Sequence, residues 1–368
     1  MNKNPLLQLK AMGQHVWLDN LSRTLLQEGA LQRLMTEDGI DGVTSNPVIF
    51  QKAIVDSPYY REDLQRVRGS NLDAEARYEA LVIPDIQATC DMFLPVYASS
   101  LGETGYVSLE VSPALTHDTV GTEAAARRLR QAVGRDNLLI KVPATPAGVR
   151  AFEHLTAQGI RVNVTLIFSL AQYEAVAQAY LRGAARWLDG GGGGGENAKQ
   201  LRSVASVFLS RVDTLVDKRL DAIATADTAQ IQTLKGRSGV ALAKRCYYRY
   251  LEIFHGPEFA MLSQAGVRPQ TPLWASTGTK NPAYSDVLYV EPLIGGQTIN
   301  TLPDATLAAF REHGRAATTL MTGMDEVQAH IEALAALGID LNDVGETLQT
   351  EGVRLFAEAY EKLLAAVQ

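Results

Sequence analysis

Leu138-Leu139-Ile140-Lys141-Val142-Pro143 sets one ammonium-bearing side chain inside a run that is otherwise apolar. Such a run, bounded by polar residues, reads as a strand buried on both faces, the pattern of a parallel sheet covered by helices. A charged group buried there is costly unless it is paired. Burial favours the neutral amine, and a neutral, desolvated amine is the group that condenses with a carbonyl to form a Schiff base. The alternative is an inward lysine held by a carboxylate, and this segment alone leaves both readings open.

Outward from that run the chain alternates. Strand-like runs fall at 15–20, 39–46, 106–111, 138–142, 160–166, 203–209, 273–276 and 287–290, and helix patterns at 77–97, 123–133, 148–157, 170–188, 212–220, 239–254 and 344–364. Alternating strands and helices predict parallel pairing with right-handed crossovers. The expected fold class is α/β, a (β/α)8 TIM barrel with additional helices. Such a barrel takes about 250 residues. The surplus in a chain of 368 residues is expected before the first strand, after the second and at the C-terminus. No Pro/Gly-rich linker divides the chain, so residues 1–368 are expected to form one barrel domain.

The six glycines from Gly190 to Gly195 follow a helix pattern and precede Glu196-Asn197. A phosphate-cradling P-loop needs a preceding strand and a terminal Gly-Lys-Ser/Thr, so this run reads as a loop. A net charge of -7 disfavours nucleic acid or an anionic membrane as partner. Cys90 and Cys246 are far apart and read as free core thiols of a reducing compartment. Neither a signal peptide nor a transmembrane run is visible, and the cytoplasm is the expected location.

The ends of the strands carry the chemistry. The first ends in Trp17-Leu18-Asp19-Asn20, the second in Thr44-Ser45-Asn46-Pro47 and the third in Ser108-Leu109-Glu110. The fourth holds Lys141 and the fifth ends in Asn163-Val164-Thr165. In a barrel these ends converge on one face, where active sites lie. If Lys141 points inward, so does Leu139, while Ile140 and Val142 face the helices. Taken singly, Asp19 could cap a helix, Asn46 could form a turn and Thr165 could simply favour a strand. Ser206 and Phe208 suit an ordinary barrel strand as well as a pocket. Arg211 follows the sixth strand and Lys280 the seventh, where barrels commonly bind phosphate. The six histidines show no HExxH spacing, and no nucleophile elbow or dinucleotide fingerprint is present. A lysine, two carboxylates and basic groups suit carbon–carbon bond chemistry on a phosphorylated keto sugar, and metal chemistry has no support in the sequence.

With these strings, together with Leu139-Ile140-Lys141-Val142-Pro143-Ala144-Thr145, residues 274–282 and residues 286–303, the chain resembles the transaldolase family in its longer bacterial form. The resemblance implies a class I aldolase barrel, often a homodimer and needing no metal or organic cofactor, that moves a dihydroxyacetone unit between sugar phosphates in the pentose phosphate pathway. It implies Lys141 as the Schiff-base lysine and Asp19 and Glu110 as the acid–base pair, with Thr165 holding a water for Glu110. Asn46, Asn163, Ser206 and Ser276 match positions that hold sugar or water, and Phe208 matches a pocket position. Arg211 and Lys280 match phosphate-binding positions, although shorter members more often carry arginine at the latter. Two rivals remain. One is a fructose-6-phosphate aldolase-like enzyme, whose members tend to carry glutamine and tyrosine at the positions of Glu110 and Phe208. The other is a non-catalytic barrel that binds sugar phosphates.

Overall fold

The computed structural model describes residues 4–191, 195–223 and 228–368. Eight parallel strands close a barrel in sequence order: β1 (Gln14–Leu18), β2 (Gly42–Val43), β3 (Tyr106–Glu110), β4 (Leu138–Pro143), β5 (Val162–Ile167), β6 (Ser203–Phe208), β7 (Thr271–Ala275) and β8 (Thr298–Leu302). Every residue of β4, β5 and β6 is buried, as strands walled in by helices must be. The register sets Glu110 beside Lys141 and Lys141 beside Asn163, so three polar side chains stand at one level of the barrel.

Helices follow the strands closely because their first turns are built for it. Thr145 caps the helix Pro146–Ala157 by accepting from the Gly148 amide, and Pro146 supplies its first turn. Gly148 is needed there, since a Cβ would lie 1.9 Å from the Pro143 carbonyl oxygen at the end of β4. Helices beyond one per strand lie before β1 (Pro5–Ala11), between β2 and β3 (Pro47–Asp56, Arg61–Arg68 and Ala74–Ser99 in all) and at the end (Met324–Ala336 and Leu341–Val367), as expected, and also between β1 and β2 and between β6 and β7, where no surplus was expected. The helix Leu341–Val367 returns across the barrel mouth. Gln349 there donates to the carbonyls of Ala144 and Leu166 at 2.9 and 3.2 Å.

Two strand expectations are corrected. The eighth strand is Thr298–Leu302, whereas 287–290 forms turns. Val287, Tyr289 and Val290 are buried, so their apolar run reports packing rather than a strand. The true β8 escapes an apolar-run search because Thr298 and Asn300 are polar. Both are buried, and they donate to the carbonyls of Gly295 and Tyr289 in the irregular segment before the strand. That segment needs donors where an ordinary barrel helix would offer apolar side chains. The second strand is shorter than 39–46: only Gly42 and Val43 pair in the ladder, while Thr44 and Asn46 line the barrel mouth and the buried Ser45 hydroxyl donates to the Ser108 carbonyl. Gly42 is required within it: a Cβ would lie 2.5 Å from the Trp17 indole.

Gly190 and Gly191 follow the helix Leu170–Asp189, as the loop reading of the glycine run expects, and 192–194 lie outside the described residues. Cys90 and Cys246 are free and buried, and burial pushes the Cys90 thiol up to about 12. Among the described residues no helix is long and apolar enough to cross a membrane, and no group of side chains could hold a metal ion.

Candidate active site

Lys141 is 4% exposed in the middle of β4. Its Nζ donates to the Ser45 carbonyl at 3.2 Å and lies 3.6 Å from Glu110 Oε2. The longer distance is an ion-pair contact rather than a hydrogen bond. Glu110 Oε2 is buried with no hydrogen-bond partner among the described residues. Burial pushes the Glu110 carboxyl up to about 7 against the opposing pull of the Lys141 charge.

Asp19 follows β1 and is held by Thr44, whose hydroxyl contacts Asp19 Oδ1 at 2.8 Å and Thr301 Oγ1 at 2.7 Å. The helix Arg23–Gln27 is capped by Ser22, so Asp19 is not its cap. Burial raises the Asp19 carboxyl above its usual range, and the charge of Lys141 acts against that rise. Two carboxyl groups with raised proton affinity thus share the field of one buried amine, an arrangement suited to moving protons around a covalent intermediate.

Thr165 sits near the end of β5, opposite Pro143, and its buried Oγ1 has no partner among the described residues. A bulge begins after Val164, and Leu166 takes a left-handed φ of 60°. Bulges at barrel rims re-aim the side chains beside them. Asn163 lies deeper, with its amide committed to Ser108 at 3.1 Å and to Ser206 at 2.7 Å.

Over Lys141 opens a cavity of about 280 Å³. Asp19, Asn46, Ser206, Phe208, Arg211, Ser276 and Lys280 line it with Lys141. Phe208 forms an apolar wall edge-on to Phe168, with ring centroids 5.2 Å apart. The Arg211 guanidinium lies 5.8 Å from the Phe208 ring centroid. Its Nη1 is buried without a hydrogen-bond partner among the described residues, and burial lowers its proton affinity. An unpaired, desolvated guanidinium facing a cavity is a binding group for an anion.

Comparison with known proteins agrees with this geometry. A family model described as Transaldolase/Fructose-6-phosphate aldolase matches residues 16–367. The chain belongs to that family. A protein of Thiobacillus denitrificans named Transaldolase is 53% identical over 356 residues, 97% of each chain. One of the same name from Neisseria gonorrhoeae is 46% identical over 360 residues, 98% of each chain. Transaldolase 2 of a Nostoc species is 41% identical over 373 residues, covering 99% of this chain and 97% of its own.

Within this transaldolase/aldolase barrel the sequence-derived residues divide into two groups. Eight line the open cavity, whereas Glu110 and Asn163 stand beside Lys141 on the neighbouring strands and Thr165 stands opposite Pro143, outside the cavity lining. Asn46 does two jobs. Its Oδ1 caps the helix Pro47–Asp56 by accepting from the amides of Val48 and Ile49, and its side chain also faces the cavity. Ser276 has a left-handed φ of 54° and hydrogen-bonds the Ser210 hydroxyl at 2.8 Å, which ties the end of β7 to the start of the Arg211 helix. Backbone strain of this kind is held only where the surroundings dictate it.

Sequence reasoning missed four contributors. Thr44, which orients Asp19, lay inside a quoted motif without a role. The Ser45 carbonyl, which holds Lys141, has no side-chain signature. Thr301 lay inside the quoted stretch 286–303 without a role, because the eighth strand was misplaced. Phe356, which lines the cavity from the helix Leu341–Val367, looks like any apolar helical residue.

Proposed function

We infer that the chain is a transaldolase. It transfers a dihydroxyacetone unit reversibly from sedoheptulose 7-phosphate to glyceraldehyde 3-phosphate, giving erythrose 4-phosphate and fructose 6-phosphate in the pentose phosphate pathway. The observation that carries this reading is a buried lysine near two carboxyl groups of raised proton affinity, in a cavity also lined by Arg211, whose buried Nη1 has no hydrogen-bond partner among the described residues.

The Lys141 amine, its proton passed to Glu110, attacks C2 of the ketose phosphate. Glu110, acting with a water held by Thr165, supplies the proton with which the carbinolamine hydroxyl leaves as water. The resulting iminium is an electron sink. Asp19 accepts the proton of the C4 hydroxyl, the C3–C4 bond pair moves toward the iminium, and the aldose phosphate departs. The three-carbon enamine stays on Lys141. Its C3 attacks the aldehyde of the acceptor, Asp19 returns the proton to the new hydroxyl, and water releases the product ketose. Asn46, Asn163, Ser206 and Ser276 hold the sugar hydroxyls or the water, Phe208 keeps solvent from the enamine, and Arg211 and Lys280 hold phosphate.

We further propose a cytoplasmic location, a reading that the composition and the buried free thiols support. The single-domain organisation is proposed from the lack of a Pro/Gly-rich linker in the sequence, and the homodimer from the resemblance, which sedimentation velocity checks.

The deciding assay gives the protein fructose 6-phosphate with and without erythrose 4-phosphate and follows glyceraldehyde 3-phosphate. Catalytic release only with the acceptor supports transaldolase. Sustained release without it moves the assignment to an aldolase. No release in either tube leaves a binding barrel.

A further inference from the structure

Lys280 sits in the connection between β7 and β8, residues 276–297, whose one regular element is the short turn Glu291–Leu293. Long irregular connections are mobile unless something ties them down. Here two phenols do so. The Tyr284 hydroxyl donates to Asp217 at 2.7 Å, and the Tyr289 hydroxyl donates to Asp213 at 2.7 Å. Both aspartates belong to the helix Ser210–Asp221, whose second residue is Arg211. Four positions apart, they share one face of it.

The carboxylates are themselves held in place. The Gly236 amide donates to Asp217 at 3.0 Å, and the amides of Ser238 and Gly239 donate to Asp213 at 2.7 and 3.1 Å. Each ring also lies against a glycine. A Cβ on Gly236 would stand 2.8 Å from the Tyr284 ring, and one on Gly239 would stand 3.0 Å from the Tyr289 ring. Between Lys280 and Tyr284 the chain turns on Asn281, which accepts from the amides of Tyr284 at 3.1 Å and Ala283 at 3.0 Å. The backbone that carries Lys280 is therefore tied, through one tight turn and one phenol, to the helix that carries Arg211.

We propose that Tyr284 with Asp217 and Tyr289 with Asp213 are positioning pairs that hold Lys280 in the cavity that Arg211 also lines. They thereby set the preference for phosphorylated over unphosphorylated acceptors. The proposal rests on the reading of Arg211 and Lys280 as phosphate ligands. A lysine on a free loop must be ordered each time it binds, whereas one on an anchored loop has been ordered in advance. Tightness toward a phosphate then depends on residues that never touch it.

The test uses the full chain with Tyr284→Phe and Tyr289→Phe, assayed at saturating fructose 6-phosphate. In each variant the KM for an aldose phosphate acceptor should rise about fivefold, and the Ki of inorganic phosphate should rise by a similar factor. KM for unphosphorylated glyceraldehyde should stay within about twofold. In a Lys280→Ala background, Tyr284→Phe should add no further change, because it acts through that lysine. Equal loss on both acceptors, or a full additional loss without Lys280, would overturn the positioning role and leave mere loop packing. If Arg211→Ala and Lys280→Ala themselves leave the phosphate Ki unchanged, the phosphate reading fails instead, and the proposal with it. Tyr284 is only half buried, so Tyr284→Phe carries the test even if Tyr289→Phe does not fold.

Discussion

Lys141 Nζ and Glu110 Oε2 lie 3.6 Å apart on adjacent, in-register strands. That is close enough for each to feel the other's charge and too far for a direct hydrogen bond. Were the two locked together, the amine would remain a charged partner and a poor nucleophile. Were they well separated, the carboxyl could not serve the carbinolamine. The Ser45 carbonyl holds the amine on one side and leaves Glu110 Oε2 uncommitted on the other. The spacing suits a proton relay through an oxygen placed between the two groups.

Lys141→Ala should abolish turnover and also the covalent adduct trapped by borohydride in the presence of fructose 6-phosphate. Intact-mass and peptide mass spectrometry measure both. An adduct on any other lysine removes Lys141 from its role.

Glu110→Gln should lower kcat about a hundredfold, the usual contribution of a positioned acid–base group. The pH profile carries the sharper expectation. Burial raises this carboxyl to about 7, so it is protonated below that pH and ionised above it. In the free enzyme the ionised form accepts the proton that Lys141 must lose before it attacks. kcat/KM should therefore fall as pH drops through about 7, and Glu110→Gln should lose that acid limb. An unchanged limb would assign it to another group.

Much of this was legible before any coordinates, for reasons that differ by residue. β4 was readable because both its faces are buried, which forces an apolar run and makes Lys141 conspicuous. Asp19, Asn46, Glu110 and Thr165 were readable together because a barrel gathers strand ends on one face. β8 was not, since its polar residues serve backbone carbonyls nearby, and the buried apolar run 287–290 mimics a strand. The Ser45 contact is made by a backbone carbonyl, which every residue possesses. Phe356 is brought to the cavity by the packing of the last helix, and sequence periodicity does not register such long-range returns.

Asp19→Ala should separate the two halves of the chemistry. Lys141 remains, so the borohydride-trapped adduct should form. The C3–C4 bond should break at least about a hundredfold more slowly, because no base takes the C4 hydroxyl proton. Rapid-quench measurement of the first turnover distinguishes these steps. Near-normal cleavage would leave Asp19 as a partner of Thr44 and nothing more.

Arg211→Ala should act mainly on binding. A charged hydrogen bond to phosphate contributes roughly 1.5–3 kcal/mol, or about a 10- to 150-fold rise in KM for fructose 6-phosphate, with kcat less affected. The buried, unpaired Nη1 leads to the same expectation, since the anion would relieve its isolation. Steady-state kinetics with phosphorylated and unphosphorylated acceptors check this. A KM that does not move would place phosphate elsewhere.

Phe356→Leu should make the enzyme leak. The helix Leu341–Val367 is seated closely on the barrel mouth: a Cβ on Gly345 would meet Ser169 at 2.5 Å, and one on Gly352 would meet Leu166 at 3.2 Å. Phe356, on that helix and 5% exposed, forms part of the cavity wall. The enamine on Lys141 survives only while water is kept from its carbon. A smaller side chain opens a path beside it, so protonation should compete with transfer, and free dihydroxyacetone should be released. The ratio of glyceraldehyde 3-phosphate formed without acceptor to that formed with acceptor should rise about threefold or more. Leucine keeps most of the apolar volume, so the loss of stability should stay below about 1.5 kcal/mol, and thermal unfolding checks that the fold is intact. A lower melting temperature with an unchanged ratio would mean that Phe356 only packs, and that the dryness of the site is maintained by Phe208 and the strands beneath it.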